Sequence, residues 1–105
     1  MSWDVTLYKE EEMKTEIQWV GNYTSNVLDM YVEAMGHSLR AIHGMKSAEV
    51  IDTLAAGVVD MLGNADKYIE MTPSNGWGNY SGTLDYLTKI LDACKARPDC
   101  YVGVE

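Results

Sequence analysis

A long apolar stripe in the middle of the chain constrains the fold more than any other feature of the sequence. Apolar residues recur there every three or four positions: Val50, Ile51, Leu54, Ala55, Val58, Met61 and Leu62. That spacing places them on one face of an amphipathic helix, which has to be buried against a second layer. Ser47 is the expected N-cap of this helix, and Gly63-Asn64 is its expected end.

Alternating segments at both ends of the chain supply the second layer. Residues 3–8, 16–19 and 100–105 alternate between apolar and polar side chains, as half-buried strands do. A short polar connection predicts that the first two strands form a hairpin. Further helices are predicted at about residues 24–35 and 81–96, with brief turns near residues 39–45 and 65–71. The prediction is one α+β domain over residues 1–105, in which about three helices cover one face of a small antiparallel or mixed three-stranded sheet, in the order β-β-α-α-α-β.

The net charge of −8, from sixteen acidic and eight basic residues, limits the possible partners. Such a charge repels phosphate backbones, so direct nucleic-acid binding is not expected. It favours a basic protein partner, although solubility alone explains it equally well.

The sequence predicts a cytoplasmic protein without membrane contact. The segment "MSWDVTL" has neither the basic nor the long apolar part of a signal peptide, and no apolar run reaches about 18 residues. Cys94 and Cys100 are then expected to be reduced thiols, and their spacing alone is no zinc signature. We predict no metal and no cofactor.

One four-residue phrase occurs twice, each time before a helical pattern. Gly21-Asn22-Tyr23-Thr24 is echoed by Gly78-Asn79-Tyr80-Ser81. Asn, Thr and Ser accept hydrogen bonds from the free amides of a helix start, so both copies fit N-caps. Capping explains neither tyrosine, and it does not explain Trp77 between two glycines.

A binding edge is the alternative interpretation of the phrase. If the two helix starts are neighbours, their amides would hold an anionic group while Tyr23, Tyr80 and Trp77 stack on a base. The predicted ligand-binding residues are Asn22, Tyr23, Thr24, Asn26, Asn75, Gly76, Trp77, Gly78, Asn79 and Tyr80.

No catalytic motif is recognised in the chain, and we predict no catalytic residue. There is no nucleophile elbow, no phosphate-binding loop and no zinc-protease motif. Asp85 and Asp92 have the spacing of solvated acids on an outer helix face. His37 and His43 are expected to cap or to lie at the surface rather than to bind metal.

Two segments, "GNYTSNVLDMYVEAMG" and "MTPSNGWGNYSGTLDYLTKILDACKARPD", resemble an uncharacterised family of small phage and bacterial proteins. Its motifs are Asn-[Tyr/Met]-Thr-x-Asn-Val and Pro-x-Asn-Gly-Trp-Gly-x-Tyr, and the resemblance covers nearly the whole chain. It implies signature positions at Asn22, Thr24, Asn26, Asn75, Gly76, Trp77, Gly78 and Tyr80. Tyr23 stands where some members carry Met. The family has no established activity, so the resemblance implies relatives without a function.

The sequence therefore predicts a non-enzymatic, phage-type accessory protein, active in counter-defence or host takeover through binding. In one version it sequesters a small anionic ligand such as a signalling nucleotide. In the alternative it is an acidic inhibitor that occupies a basic, nucleic-acid-binding site on a host protein. A small enzyme and a structural or assembly protein, including a homo-oligomer, remain open.

Overall fold

The computed structural model describes residues 1–105. Its strands are β1 (Ser2–Tyr8), β2 (Glu16–Thr24) and β3 (Tyr101–Val104), and its helices are α1 (Leu28–Met35), α2 (Ser47–Gly63), α3 (Ala65–Ile69) and α4 (Tyr80–Ala96). Short 3-10 turns cover Ser25–Val27 and Leu39–Ile42. Apart from the short α3, this is the predicted order of elements, and the α+β class is confirmed.

The sheet has the order β2-β1-β3, and both pairings are antiparallel. Val5 lies opposite Val104 and Leu7 opposite Val102, and all four side chains are fully buried. Because successive strand residues point to opposite faces, these four define the face that packs against the helices. The chain's last strand thus joins the sheet beside its first.

Helix α2 forms the centre of the helical layer, between α1 and α4. Of the periodic stripe, Val50, Leu54 and Met61 are buried as predicted, whereas Leu62 is 62% exposed. The other three members, Ile51, Ala55 and Val58, are half-buried. A Cβ on the buried Gly57 would lie 3.0 Å from Met35 Cγ, so α1 and α2 approach closely at this point. None of the helices combines the length and the apolar character needed to cross a bilayer.

Strand β2 is longer than the alternation of residues 16–19 suggests. It continues to Thr24 because Ser2–Val5 of β1 pair with Gly21–Thr24, across a register shift after Val5. The first copy of the repeated phrase therefore lies in a strand, and the expected α-helix over residues 24–35 begins only at Leu28, after a 3-10 turn.

The expected N-cap role of Ser47 is wrong. Lys46 occupies the cap position, and the Ser47 hydroxyl is buried without a hydrogen-bond partner. The C-terminal part of the chain fixes this geometry: the Ser47 amide donates to the carbonyl of Cys100, and Lys46 forms a β-bridge with Tyr101. These contacts turn the Ser47 side chain inward. The expected turn at residues 65–71 is also partly helical, as α3.

Candidate functional site

The two copies of the repeated phrase are adjacent in space. The Tyr23 hydroxyl accepts a hydrogen bond from the Asn79 amide at 3.0 Å and lies 3.4 Å from the Asn79 carbonyl oxygen. Gly78 packs so closely on the end of β2 that a Cβ there would lie 2.6 Å from Thr24 Cγ2 and 2.7 Å from Val27 Cγ1. The ligand-binding hypothesis requires this proximity.

The two copies nevertheless have different local roles. Asn79 is the N-cap of α4, and its Oδ1 accepts from the Gly82 amide at 2.8 Å. In the first copy Thr24 is the cap, since its Oγ1 accepts from the Asn26 amide at 3.2 Å. Asn22 lies in β2, so the capping interpretation fits Asn79 and Thr24 but not Asn22.

The loop before α4 displays Trp77. Asn75 Oδ1 accepts from the Trp77 amide at 2.9 Å, which closes a tight turn. Gly76 and Gly78 have φ angles of 79° and 92°, a left-handed conformation that favours glycine. Between these two glycines the Trp77 side chain is 64% exposed.

An open pocket of about 690 Å³ lies between this loop and the end of the sheet. It is lined by six of the ten predicted ligand-binding residues, which are Asn22, Tyr23, Thr24, Asn26, Trp77 and Gly78. Met1 and Ser2, which the sequence analysis missed, complete the lining. No signal in the sequence placed Ser2 there, because it lies beside Asn22 and Thr24 only through the continuation of β2 beyond residues 16–19.

The other four predicted residues do not line the pocket, but three of them shape its surroundings. Asn75 and Gly76 form the turn before Trp77, and Asn79 caps α4. Tyr80 instead points toward α2 and α3: its hydroxyl donates to the Met61 carbonyl at 2.7 Å, and its ring stacks on Tyr68 at 6.3 Å. The structure therefore brings Trp77 and Tyr23 to the pocket but not Tyr80.

The pocket contains no charged side chain. Several amides of the two helix starts are already bonded within the protein. The Ser25 amide donates to the Met1 carbonyl, the Asn26 amide to Thr24, and the Asn79 amide to Tyr23. The anionic group of a ligand thus finds few free amides and no cationic side chain at this site.

A second polar cluster joins α1, α2 and α3. The Tyr68 hydroxyl donates to Asp60, and the Lys67 ammonium lies 3.2 Å from Asp60 and 3.3 Å from Glu33. The hydrogen bond from Tyr68 lowers the pKa of Asp60, and burial raises the pKa of Tyr68. All its hydrogen bonds tie helices together, so the cluster is structural.

One histidine holds the end of a strand, and one cysteine lies in the core. His43 Nδ1 accepts from the Val104 amide at 2.9 Å, which pins the end of β3. Burial raises the pKa of the Cys94 thiol, which disfavours the reactive thiolate. No three His, Cys, Asp or Glu side chains come together as ligands for a metal ion.

Comparison of the chain with protein-family models, with curated proteins and with solved structures gives no match. The family resemblance drawn from the two sequence motifs stays a prediction. The candidate function is therefore inferred from the pocket and its lining.

Proposed function

We propose that this protein is a non-catalytic binding protein that sequesters a small, ring-bearing ligand, such as a signalling nucleotide, in the pocket beside Trp77. The display of Trp77 carries the proposal. A turn closed by Asn75 and two left-handed glycines hold an indole at the edge of a pocket lined by hydrogen-bonding side chains.

Stacking would supply a free-energy gain that the isolated protein lacks. With 64% of its surface exposed, Trp77 stabilises the fold little through burial. Stacking of a nucleobase on an aromatic side chain contributes about 1–3 kcal/mol. Ligand pockets typically combine such an aromatic surface with a few placed polar groups, and Asn22 and Asn26 provide such groups here.

The proposed setting is a phage-type accessory role, in counter-defence or host takeover. A protein that sequesters a signalling nucleotide needs only to bind it tightly, and a single pocket on a small domain is sufficient for tight binding. The resemblance to small phage and bacterial proteins motivates the phage-type setting without implying a function, and the pocket supports the mode of action.

Native mass spectrometry of the protein with a panel of nucleotides and cyclic nucleotides tests the proposal. The expected result is one bound ligand per chain, absent in Trp77→Ala. Trp19→Ala is the matched control, because Trp19 is 57% exposed and lies outside the pocket lining. A ligand that both variants retain would show that binding occurs elsewhere, and no bound ligand at about 1 mM would refute the proposal.

The surface charge favours a second candidate function, the acidic inhibitor of a basic host protein. All but two of the sixteen acidic residues are exposed, the exceptions being Glu10 and Asp60. The only salt bridges are those of Lys67, so most carboxylates have no cationic partner. This candidate predicts binding to a host protein that weakens as salt rises. It also predicts loss of binding on reversal of Glu11 and Glu12 to Lys, with Trp77→Ala unaffected.

A further inference from the structure

We propose that the pocket recognises the uncharged base of its ligand, specifically an adenine-type edge with a hydrogen-bond donor beside an acceptor, and leaves any phosphate in solvent. This inference rests on the proposed function, since it names the part of the ligand that the pocket beside Trp77 holds. Two features of the pocket lining support it. The lining has no lysine or arginine side chain, and some of its hydrogen-bonding groups have no partner within the protein.

The charge distribution disfavours recognition through phosphate. The pocket has no lysine or arginine in its lining, and the whole chain carries a net charge of −8. The exposed amino terminus of Met1 is the one positive group among the lining residues, so a phosphate buried against the rest of this lining would lose hydration without a cationic partner. The energetically favourable arrangement buries an uncharged part of the ligand and leaves the phosphate hydrated.

Two of the three hydroxyl groups in the lining are largely occupied, while the third, on Ser2, accepts from Asn22 and keeps its own O–H. Thr24 Oγ1 accepts from the Asn26 amide and lies 3.4 Å from the Met1 carbonyl oxygen. The Tyr23 hydroxyl is bonded to both backbone groups of Asn79. These groups shape the pocket, but they have little capacity left for a ligand.

Two carboxamides retain free capacity. The exposed Asn26 side chain has no hydrogen bond within the protein, so its oxygen and both N–H groups are free. Asn22 donates one N–H to Ser2 Oγ at 3.0 Å and keeps its oxygen and the other N–H. Each residue therefore offers an acceptor next to a donor.

That pair of groups is the complement of an amino group beside a ring nitrogen, as on one edge of adenine. Cytosine presents the same pair, but its single ring offers less surface than a purine for stacking on Trp77. A carboxamide accepts from the adenine 6-amino group and donates to N7 in a bidentate contact. The indole of Trp77 would stack on the flat ring while a carboxamide reads its edge. A sugar would also bond carboxamides, but it offers no flat aromatic face of this kind.

A free nucleoside or nucleotide fits the site better than a base in a nucleic-acid strand. The charge of −8 repels a polyanion at long range, whereas a single phosphate held in solvent is repelled little. Adenosine and adenosine monophosphate should therefore bind alike, while an adenine oligonucleotide should bind more weakly as salt is lowered.

Isothermal titration with adenosine, adenosine monophosphate and purine riboside tests the inference. Adenosine and its monophosphate should agree within about threefold between 50 and 300 mM salt. Purine riboside, which has the same ring without the 6-amino donor, should bind at least tenfold more weakly. Asn26→Asp replaces the amide donor by an oxygen of the same size and should weaken adenosine binding at least tenfold. Thr72→Asp is the control, because it adds the same negative charge at an exposed residue outside the pocket lining.

The outcomes separate this inference from the function it rests on. Binding of phosphorylated ligands alone, weakening as salt rises, would overturn base recognition but keep the ligand-binding function. Equal affinity for adenosine and purine riboside would also overturn it. If the parent protein binds none of these compounds but binds another nucleotide of the mass-spectrometry panel, adenine recognition fails and the ligand-binding function stands. If it binds no compound of either set, the proposed function itself fails.

Discussion

The Tyr23 hydroxyl is bonded to the backbone of Asn79, 56 residues further along the chain, with its oxygen 3.0 Å from the Asn79 amide nitrogen. This bond joins the end of β2 to the N-cap of α4. The Tyr23 ring also packs against Tyr86, with 5.8 Å between ring centroids. The walls of the pocket are therefore held together by a residue that itself lines it.

Removal of the Tyr23 hydroxyl should weaken the connection between β2 and α4. Tyr23→Phe keeps the ring contact with Tyr86 and leaves the Asn79 amide without its partner. We expect the free energy of unfolding to fall by about 1 kcal/mol, the usual net value of one such bond. Urea denaturation measures the change. Tyr8→Phe is the control, since the Tyr8 ring covers Gly103 but its hydroxyl bonds no other residue. An equal loss of unfolding free energy in both variants would contradict a stabilising bond between Tyr23 and Asn79.

Gly82→Ala should destabilise the protein although it adds a better helix former to α4. A Cβ at Gly82 would lie 2.7 Å from Tyr23 Cζ and closer still to the hydroxyl, and the Tyr23 ring cannot retreat easily from Tyr86. We expect a loss of about 1–3 kcal/mol, typical of overpacking.

Gly63→Ala is the comparison for the predicted loss of stability in Gly82→Ala. Gly63 ends α2 and has open space around it, so alanine should be neutral there or stabilise by up to about 1 kcal/mol. Thermal or urea unfolding of the two variants compares them directly. A stabilised Gly82→Ala protein would show that Tyr23 does not pack as described.

Two buried tyrosines should respond in opposite ways to loss of the hydroxyl. The Tyr31 hydroxyl is buried without a partner, so Tyr31→Phe removes an unsatisfied polar group. Its free energy of unfolding should stay the same or rise by up to about 1 kcal/mol. The Tyr86 hydroxyl lies 2.9 Å from the carbonyl oxygens of both Trp3 and Gly21, so Tyr86→Phe should lose about 1 kcal/mol. Urea denaturation of both variants measures these changes. A loss of stability in Tyr31→Phe would mean that the Tyr31 hydroxyl has a hydrogen-bond partner after all.

Asp60 should contribute to the acid sensitivity of the fold. The hydrogen bond from Tyr68 lowers its pKa below the ordinary Asp value. A lowered pKa in the folded state stabilises the protein above the unfolded pKa of about 3.9, and this contribution disappears as pH falls through the folded value. Asp60→Asn should thus be less stable than the parent at pH 6, with a difference that shrinks toward pH 2.

Urea unfolding between pH 6 and pH 2 measures that difference. Asp66→Asn is the matched control, because Asp66 is an exposed neighbour without a salt bridge. A difference for Asp60→Asn that stays constant over the pH range would mean that its carboxylate is not stabilised by Tyr68 and Lys67.

Much of the fold followed from local periodicity. The apolar stripe over residues 50–62 predicted α2 because helical spacing is a property of neighbouring residues. The length of β2 did not follow, because Gly21–Thr24 are held by their pairing with Ser2–Val5. Ser47 failed as an N-cap for the same reason, since a backbone bond to Cys100 decides its orientation.

Part of the candidate site could likewise be predicted from local sequence, and part of it could not. The glycines around Trp77 are local chemistry, since left-handed φ angles favour glycine, and the sequence alone marked this loop as unusual. The sequence did not show that Tyr80 would face α2 and α3 while Tyr23 faces α4. Both tyrosines follow Gly-Asn, and their different roles come from distant partners.

The sequence by itself determined most of the element types, their order and the glycine turn around Trp77, because each depends on residues within a few positions of one another. Only the tertiary structure decided that β1, β2 and the loop before α4 line one pocket, and that two carboxamides in it keep hydrogen-bonding groups without a partner. Each side chain has a fixed number of hydrogen-bond donors and acceptors. Whether those of Thr24, Tyr23 or Asn26 stay available for a ligand depends on which other groups the folded chain brings within bonding distance.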